Sequence, residues 1–329
     1  MKVAINGLGR IGRPVLKLCI ENGIKVVAIN DLTSPDNLAY LLKHDSVYRD
    51  YKTNVEVGED YIQIGRKKIK VFSVKNPQEL PWKELKVDVV VEATGAFKNR
   101  EDAYKHIMAG AKKVVISAPS PNADVTIVPG VNDKELDKIH EVISLASCTT
   151  NCLAPLAKVL NDNFVINKGF MTTVHAYTND QKILDLPHKK FRRGRAAAQN
   201  IIPTTTGATD AVIAVLPQLK GKLDGLALRV PVACGSIVDF TAQLGRDVTI
   251  QEVNGAFQLA AGKELKGILQ YSEEELVSSD IIGNPHSSIL DSLSTQVIGK
   301  TGNLVKVLAW YDNEYGYSNR MIDLLRKLR

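Results

Sequence analysis

The residues best suited to chemistry surround one cysteine. Ser147-Cys148-Thr149-Thr150-Asn151-Cys152 links a strand-like run, Val142 to Leu145, to a helical stretch from Leu153 to Leu160. Cys148 then stands at the start of a helix, where the positive end of the dipole favours a thiolate. The hydroxyls and backbone N–H groups around it suit an oxyanion or a phosphate. Cys152 lies one helical turn further on, poorly oriented for a disulfide with Cys148. A lone cysteine is also a good small core residue, and spacing alone does not separate the two roles. His175 closes an apolar run, Met171 to Val174, 27 residues after Cys148. A histidine at one strand end can meet a cysteine at another, and the pair would activate the thiol and move a proton. Taken alone, such a histidine is as readily structural.

A second constellation lies at the N-terminus. Gly7-Leu8-Gly9-Arg10-Ile11-Gly12 matches G-x-G-x-x-G between a short apolar run, Lys2 to Asn6, and a helical stretch, Pro14 to Glu21. In that setting the glycines permit a tight turn and the close approach of a pyrophosphate, and the helix N-terminus offers N–H donors. Asp31 follows a second apolar run, Lys25 to Asn30, and stands 19 residues after Gly12. A carboxylate there suits ribose hydroxyls and repels the extra phosphate of NADP, so the pattern favours NAD. An Asn-Asp pair at a strand end is also an ordinary turn former.

Five formal positive charges fall within His188–Arg195 (HKKFRRGR). They fit a phosphate clamp, a nucleic-acid patch with one aromatic, or a solvated loop. Thr204-Thr205-Thr206-Gly207 follows and can supply further donors to a phosphate. Arg229 sits in an apolar run, where a charge must be paired or face a ligand.

The elements that would position these residues differ between the two halves. In the first, Val87 to Ala93 and Lys113 to Ser117 are nearly continuous apolar runs separated by a helical stretch, Arg100 to Ala109. Strands buried on both faces and alternating with helices argue for parallel βαβ units. In the second half, β-branched runs at 169–176, 226–232, 237–244 and 305–311 predict a mixed or antiparallel sheet. Residues 178–205 read as a long functional loop, and Met321 to Leu328 as a terminal helix. The 329 residues suit two domains. A net charge of +6 (42 basic, 36 acidic) suits anionic small ligands and is thin support for nucleic-acid binding. Four cysteines with no C-x-x-C pair argue against a disulfide scaffold or a structural zinc site. No apolar run approaches the ~18 residues of a membrane span, and Met1–Gly7 is no signal peptide, so a cytoplasmic location is expected.

Taken together, the stretches AINGLGRIGR (4–13), INDL (29–32), EATG (92–95), ASCTTNCLAP (146–155), TTVHAYTNDQ (172–181), RRGRAAAQNIIPTTTGA (192–208), LRVPV (228–232) and WYDNEYGYSNR (310–320) resemble the phosphorylating glyceraldehyde-3-phosphate dehydrogenases, of the bacterial NAD-dependent type. The resemblance runs the length of the chain. It implies a Rossmann, doubly wound parallel-sheet domain over 1–147, rejoined by a C-terminal helix from 311–329, and an α+β catalytic domain over 148–310. It implies Cys148 as nucleophile and His175 as its base. It further implies NAD contacts at Gly7, Gly9, Arg10, Ile11, Asp31, Lys75, Ser117 and Asn179, with Asn313 orienting the nicotinamide carboxamide. Thr178, Asp180, Arg193 and Arg229 would surround the substrate phosphate, and Ser147, Thr149, Thr206 and Gly207 the inorganic phosphate. The substrates implied are glyceraldehyde 3-phosphate and inorganic phosphate, and the assembly a homotetramer with the 178–200 loop at its core. Leu186-Pro187 beside Asp31 resembles the NAD-using members. Thr209-Asp210, Ala233-Cys234-Gly235 and Ser120-Pro121-Asn122 depart from the family's usual runs, none at a catalytic position. An erythrose-4-phosphate dehydrogenase would share the cysteine and the fold, but hydrolysis needs no second anion site. A nucleic-acid-binding protein using the basic loop is the alternative from another class.

Overall fold

The computed structural model describes residues 1–329 and divides into two units. The first comprises Met1–Ile127, Lys134–Ala146 and Ser318–Arg329; the second comprises Val128–Asp133 and Ser147–Tyr317. The return to the first unit thus begins at Ser318, later than the 311 expected, and a short segment before residue 134 belongs to the second.

In the first unit, nine strands form one sheet: β1 (Lys2–Asn6), β2 (Lys25–Asn30), β3 (Val55–Gly58), β4 (Tyr61–Ile64), β5 (Lys67–Phe72), β6 (Val89–Glu92), β7 (Lys113–Ile116), β8 (Val125–Thr126) and β9 (Val142–Ser144). Seven run parallel in the spatial order β5-β2-β1-β6-β7-β9-β8, and the first six make the doubly wound dinucleotide-binding arrangement. The order reverses between β1 and β6, and the ends of these two strands carry Gly7 and Thr94. Residues such as Ile5, Val90, Val91 and Val115 are fully buried, as central parallel strands demand. Antiparallel β3 and β4 extend the edge. The helices are α1 (Gly12–Glu21), α2 (Pro35–Lys43) and the short α3 (Trp82–Leu85), α4 (Arg100–Ala103) and α5 (Lys105–Met108). The single helix expected over 100–109 is broken at Tyr104 into α4 and α5.

The second unit holds a seven-stranded mixed sheet: β10 (Ile166–Ala176), β11 (Ile202–Thr204), β12 (Leu223–Val230), β13 (Ser236–Val248), β14 (Leu269–Ser272), β15 (Ser288–Val297) and β16 (Gly302–Tyr311). β10 pairs with β12 in parallel and with β13 antiparallel. One face is covered by α6 (Cys148–Phe164), α7 (Ala208–Val215) and α8 (Ile250–Gly262), and burial alternates along β13 accordingly. The opposite face leaves Phe170, Leu226 and Leu304 exposed. α6 starts at Cys148, where the sequence places the start of the helix, ahead of the apolar stretch from Leu153. The loop expected over 178–205 contains one strand, β11, whose Pro203 is tolerated because β11 lies at the sheet edge. The last helix, α9 (Tyr315–Lys327), begins six residues before Met321; within the first unit Arg326 Nη2 donates to Asn22 Oδ1 at 2.6 Å.

Candidate active site

The thiol is placed by the start of α6. Ala146 takes a left-handed backbone, φ 58°, uncommon for a residue with a side chain. Ser147 caps the helix, its hydroxyl accepting the Thr150 N–H at 3.0 Å. Cys148 is therefore the first helical residue, half-buried, with the first-turn N–H groups around its sulfur. All four cysteines are free.

The base is placed by strand alternation. Met171, Thr173 and His175 share the buried face of β10, the face that α6 covers. His175 Nε2 lies 3.4 Å from Cys148 Sγ. Its Nδ1 lies 2.6 Å from the Ala176 carbonyl, an acceptor; with the ring proton on Nδ1, Nε2 offers its lone pair to the thiol. Opposite His175 in the β10–β12 register stands Arg229. Its Nη1 donates to the same carbonyl at 3.0 Å and comes within 2.9 Å of Nδ1. The guanidinium charge so close to the ring opposes protonation of the imidazole. Burial and then Arg229 take His175 from 6.5 down to about 3. Burial pushes the Cys148 thiol up, and Arg229 pulls it back. At rest the pair is thiol and neutral imidazole, a nucleophile hydrogen-bonded to its base.

Tyr311, fully buried at the end of β16, braces both partners. Its hydroxyl bonds the Thr149 hydroxyl at 2.9 Å and the Thr173 hydroxyl at 2.8 Å, and its ring meets the His175 ring edge-on at 5.9 Å. Residue type alone does not single out Tyr311, because it stands inside an apolar run. Only the period-2 alternation of β16 signals that it faces inward.

Around this pair the expected anion-binding residues fall into two groups. Arg229 Nη1 reaches Thr178 Oγ1 at 3.4 Å, and buried Arg229 Nε has no partner. Arg193 is held by Asp180 at 2.5 Å, Thr204 Oγ1 at 2.9 Å and the Thr205 carbonyl at 3.1 Å. A carboxylate repels phosphate, so the part of Asp180 is to hold Arg193. Gln181, buried, accepts the Thr178 N–H at 3.3 Å. In the second group, Thr206 Oγ1 accepts the Ala208 N–H at 3.1 Å, and Gly207 caps α7 with open space where a side chain would stand. The Ser147 and Thr149 hydroxyls are committed to the helix cap and to Tyr311, leaving the first-turn N–H groups of α6 as their available donors.

In the first unit, a cavity of about 570 Å³ opens at the carboxyl ends of β1, β2 and β6. Gly7, Gly9, Asp31 and Lys75 line it. Gly7 has φ 89°, and a Cβ there would stand 2.7 Å from Thr94 N; a Cβ on Gly12 would stand 2.0 Å from Gly7 O. The turn thus admits no side chain at either position. Asp31 Oδ2 accepts the Leu8 N–H at 2.8 Å and Oδ1 the Thr33 N–H at 3.1 Å, so the carboxylate also braces the glycine turn. The Arg10 guanidinium is turned to Asp45 at 2.7 Å, which leaves Arg10 and Ile11 their backbones to offer a ligand. Ser117 stands just past β7, its N–H bonded to the Glu92 carbonyl at 2.9 Å. Asn179 and Asn313 belong to the second unit; Asn179 is exposed, and Asn313 Oδ1 accepts the Ser236 hydroxyl at 2.9 Å.

Residues 1–100 match the model of the glyceraldehyde 3-phosphate dehydrogenase NAD binding domain, and residues 147–313 that of the C-terminal domain. The chain belongs to the glyceraldehyde-3-phosphate dehydrogenase family. It is 58% identical to a glyceraldehyde-3-phosphate dehydrogenase of Geobacillus stearothermophilus over 98% of this chain and 97% of that one. It is 57% identical to one from Streptomyces coelicolor and 56% identical to one from Bacillus subtilis, each over 98% of this chain and 97% of the relative. The cavity in the first unit lies within the matched NAD-binding segment, and its glycine turn leaves the room a pyrophosphate needs. No helix is long and apolar enough to cross a membrane.

Proposed function

We propose that this member of the family oxidises glyceraldehyde 3-phosphate to 1,3-bisphosphoglycerate with NAD and inorganic phosphate. The observation that carries the reading is the Cys148–His175 contact of 3.4 Å at the N-terminus of α6. The Cys148 sulfur attacks the aldehyde carbon while its proton passes to His175 Nε2 and on to the developing alkoxide, forming a thiohemiacetal. His175 then takes the hydroxyl proton as the carbon is oxidised to a thioester. NAD, when bound, supplies the hydride acceptor. An oxygen of inorganic phosphate attacks the thioester carbonyl, and the sulfur departs as thiolate with the acyl phosphate released. Sulfur suits both halves, being a strong nucleophile and a good leaving group.

In this reading, Gly7, Gly9, Arg10, Ile11, Asp31, Lys75, Ser117, Asn179 and Asn313 hold NAD. Thr178, Arg229 and Arg193, the last held by Asp180, take the substrate phosphate. Ser147, Thr149, Thr206 and Gly207 take the attacking phosphate through the first turns of α6 and α7. In this reading the first unit, rejoined from Ser318, is the NAD-binding domain and the second unit the catalytic domain. The working form is a homotetramer in the cytoplasm. Exposed Ile183, Leu184 and Phe191 in the basic loop, with Phe170, Leu226 and Leu304 on the open sheet face, support burial against further copies. The test is NADH formation from glyceraldehyde 3-phosphate with and without phosphate. Strong phosphate dependence is expected; oxidation at full rate without it would indicate hydrolytic release of an acid and overturn the proposal.

A further inference from the structure

Beneath the cavity of the first unit lies a buried carboxylate that neither the cysteine chemistry nor the expected cofactor contacts use. Glu92, the last residue of β6, is 2% exposed. Its Oε2 accepts Asn6 Nδ2 at 2.6 Å and lies 3.2 Å from His106 Nε2; its Oε1 accepts the Thr94 N–H at 2.8 Å and the Thr94 hydroxyl. The Trp82 indole N–H donates to His106 Nδ1 at 2.9 Å. An indole can only donate, so the His106 proton resides on Nε2, where Glu92 accepts it. From Asn6 the network runs outward: Asn30 Nδ2 donates to Asn6 Oδ1 at 2.7 Å, and Val74 N–H to Asn30 Oδ1 at 2.9 Å.

Four donors therefore converge on one buried carboxylate, and the network ties together the ends of β1, β2 and β6 and the chain just beyond β5. Asn6, Asn30, Val74 and Thr94 are themselves walls of the cavity. The other β6 positions, Val89, Val90 and Val91, show that an aliphatic side chain is what this strand needs for packing. A buried carboxylate costs free energy unless all its donors are in place, and a fully satisfied network fixes their positions in return. We propose that Glu92 is a positioning residue for the dinucleotide: with His106 and Trp82 it holds the cavity walls in their binding arrangement before the ligand arrives, so less ordering remains to be done on binding. The inference rests on the reading that this cavity takes NAD.

The test is the Kd for NAD of the full-length protein, with the rate of Cys148 alkylation by iodoacetamide as a control for the second unit. Wild type that fails to bind NAD would dismiss the cavity reading itself. If it binds, Glu92→Gln sets an amide N–H against the Asn6 and His106 donors, and roughly tenfold weaker NAD binding is expected with unchanged alkylation. Moving the His106 proton to Nδ1 would satisfy the new amide, but the Trp82 N–H blocks that tautomer. Trp82→Phe removes the block, so Glu92→Gln with Trp82→Phe recovers part of the lost affinity. A purely structural role predicts the reverse, because the second change only removes core volume. Native Kd in Glu92→Gln, or no recovery in the double variant, overturns the proposal. Should Glu92→Gln not fold, Thr94→Val, which deletes one hydroxyl donor to the carboxylate, decides instead: a several-fold rise in Kd is expected, and a native Kd refutes the proposal.

Discussion

Arg229→Leu removes the positive charge that sits behind the Cys148–His175 pair. The imidazole lies between the two, with its Nε2 3.4 Å from the thiol and its Nδ1 2.9 Å from the guanidinium. Thiolate and guanidinium are then about 8 Å apart, and at an effective dielectric constant of about 20 their attraction is about 2 kcal/mol. The charge favours thiolate and disfavours imidazolium, so its loss raises the pKa of both groups. At neutral pH the thiolate fraction falls roughly tenfold to thirtyfold. The assay is the second-order rate of alkylation by iodoacetamide, an uncharged reagent, measured from mildly acidic to alkaline pH. The profile should move to higher pH, and His175 should titrate at higher pH in a nitrogen-resolved NMR experiment. Global stability should hold, because a largely buried cation is exchanged for an apolar side chain. An unchanged alkylation profile would refute the electrostatic coupling.

Cys148→Ser should abolish nearly all turnover and leave NAD binding intact, because an alkoxide is far harder to form than a thiolate. Cys152→Ser should retain turnover, since burial keeps that thiol protonated and its sulfur faces Ser288 and the Ala309 carbonyl; an essential Cys152 would reverse the assignment. Asp31→Gly should weaken NAD binding and narrow the NAD-over-NADP ratio of kcat/KM, and an unchanged ratio would reduce Asp31 to a brace for the glycine turn. His175 is taken from 6.5 to about 3 on folding, so the unfolded chain binds the proton first; stability from this group is full above about pH 6.5 and drains as pH falls towards about 3. His175→Asn should therefore lose less of its urea midpoint between about pH 7.5 and about pH 5 than wild type, and an equal loss would contradict the depressed pKa.

The parallel core was legible because β6 and β7 are aliphatic on both faces, and the glycine turn follows directly on β1. The strands β3, β4 and β5 on one side of the sheet went unread: their exposed positions include Glu56, Lys68 and Lys70, and each strand shows only two or three apolar residues. The start of α6 at Cys148 was legible from Ser147, Thr149 and Thr150, poor helix formers in the middle of a helix and good ones at its start. Helix α8 carries a Thr249–Glu252 capping box that a search for such pairs would have found. The types of the cysteine and histidine suggested chemistry. Their contact depends on how α6 packs on β10, and the role of Arg229 behind it on the β10–β12 register, and no local pattern encodes either.

The central claim is a covalent intermediate on Cys148. Enzyme freed of phosphate, mixed with NAD and glyceraldehyde 3-phosphate, quenched in acid and digested, should yield an acyl group on the Cys148 peptide by mass spectrometry. That group should be stoichiometric with the NADH formed in the first turnover, and should disappear when phosphate is added before the quench. A first turnover of NADH with Cys148 unmodified, or with the acyl group on another residue, would contradict the account.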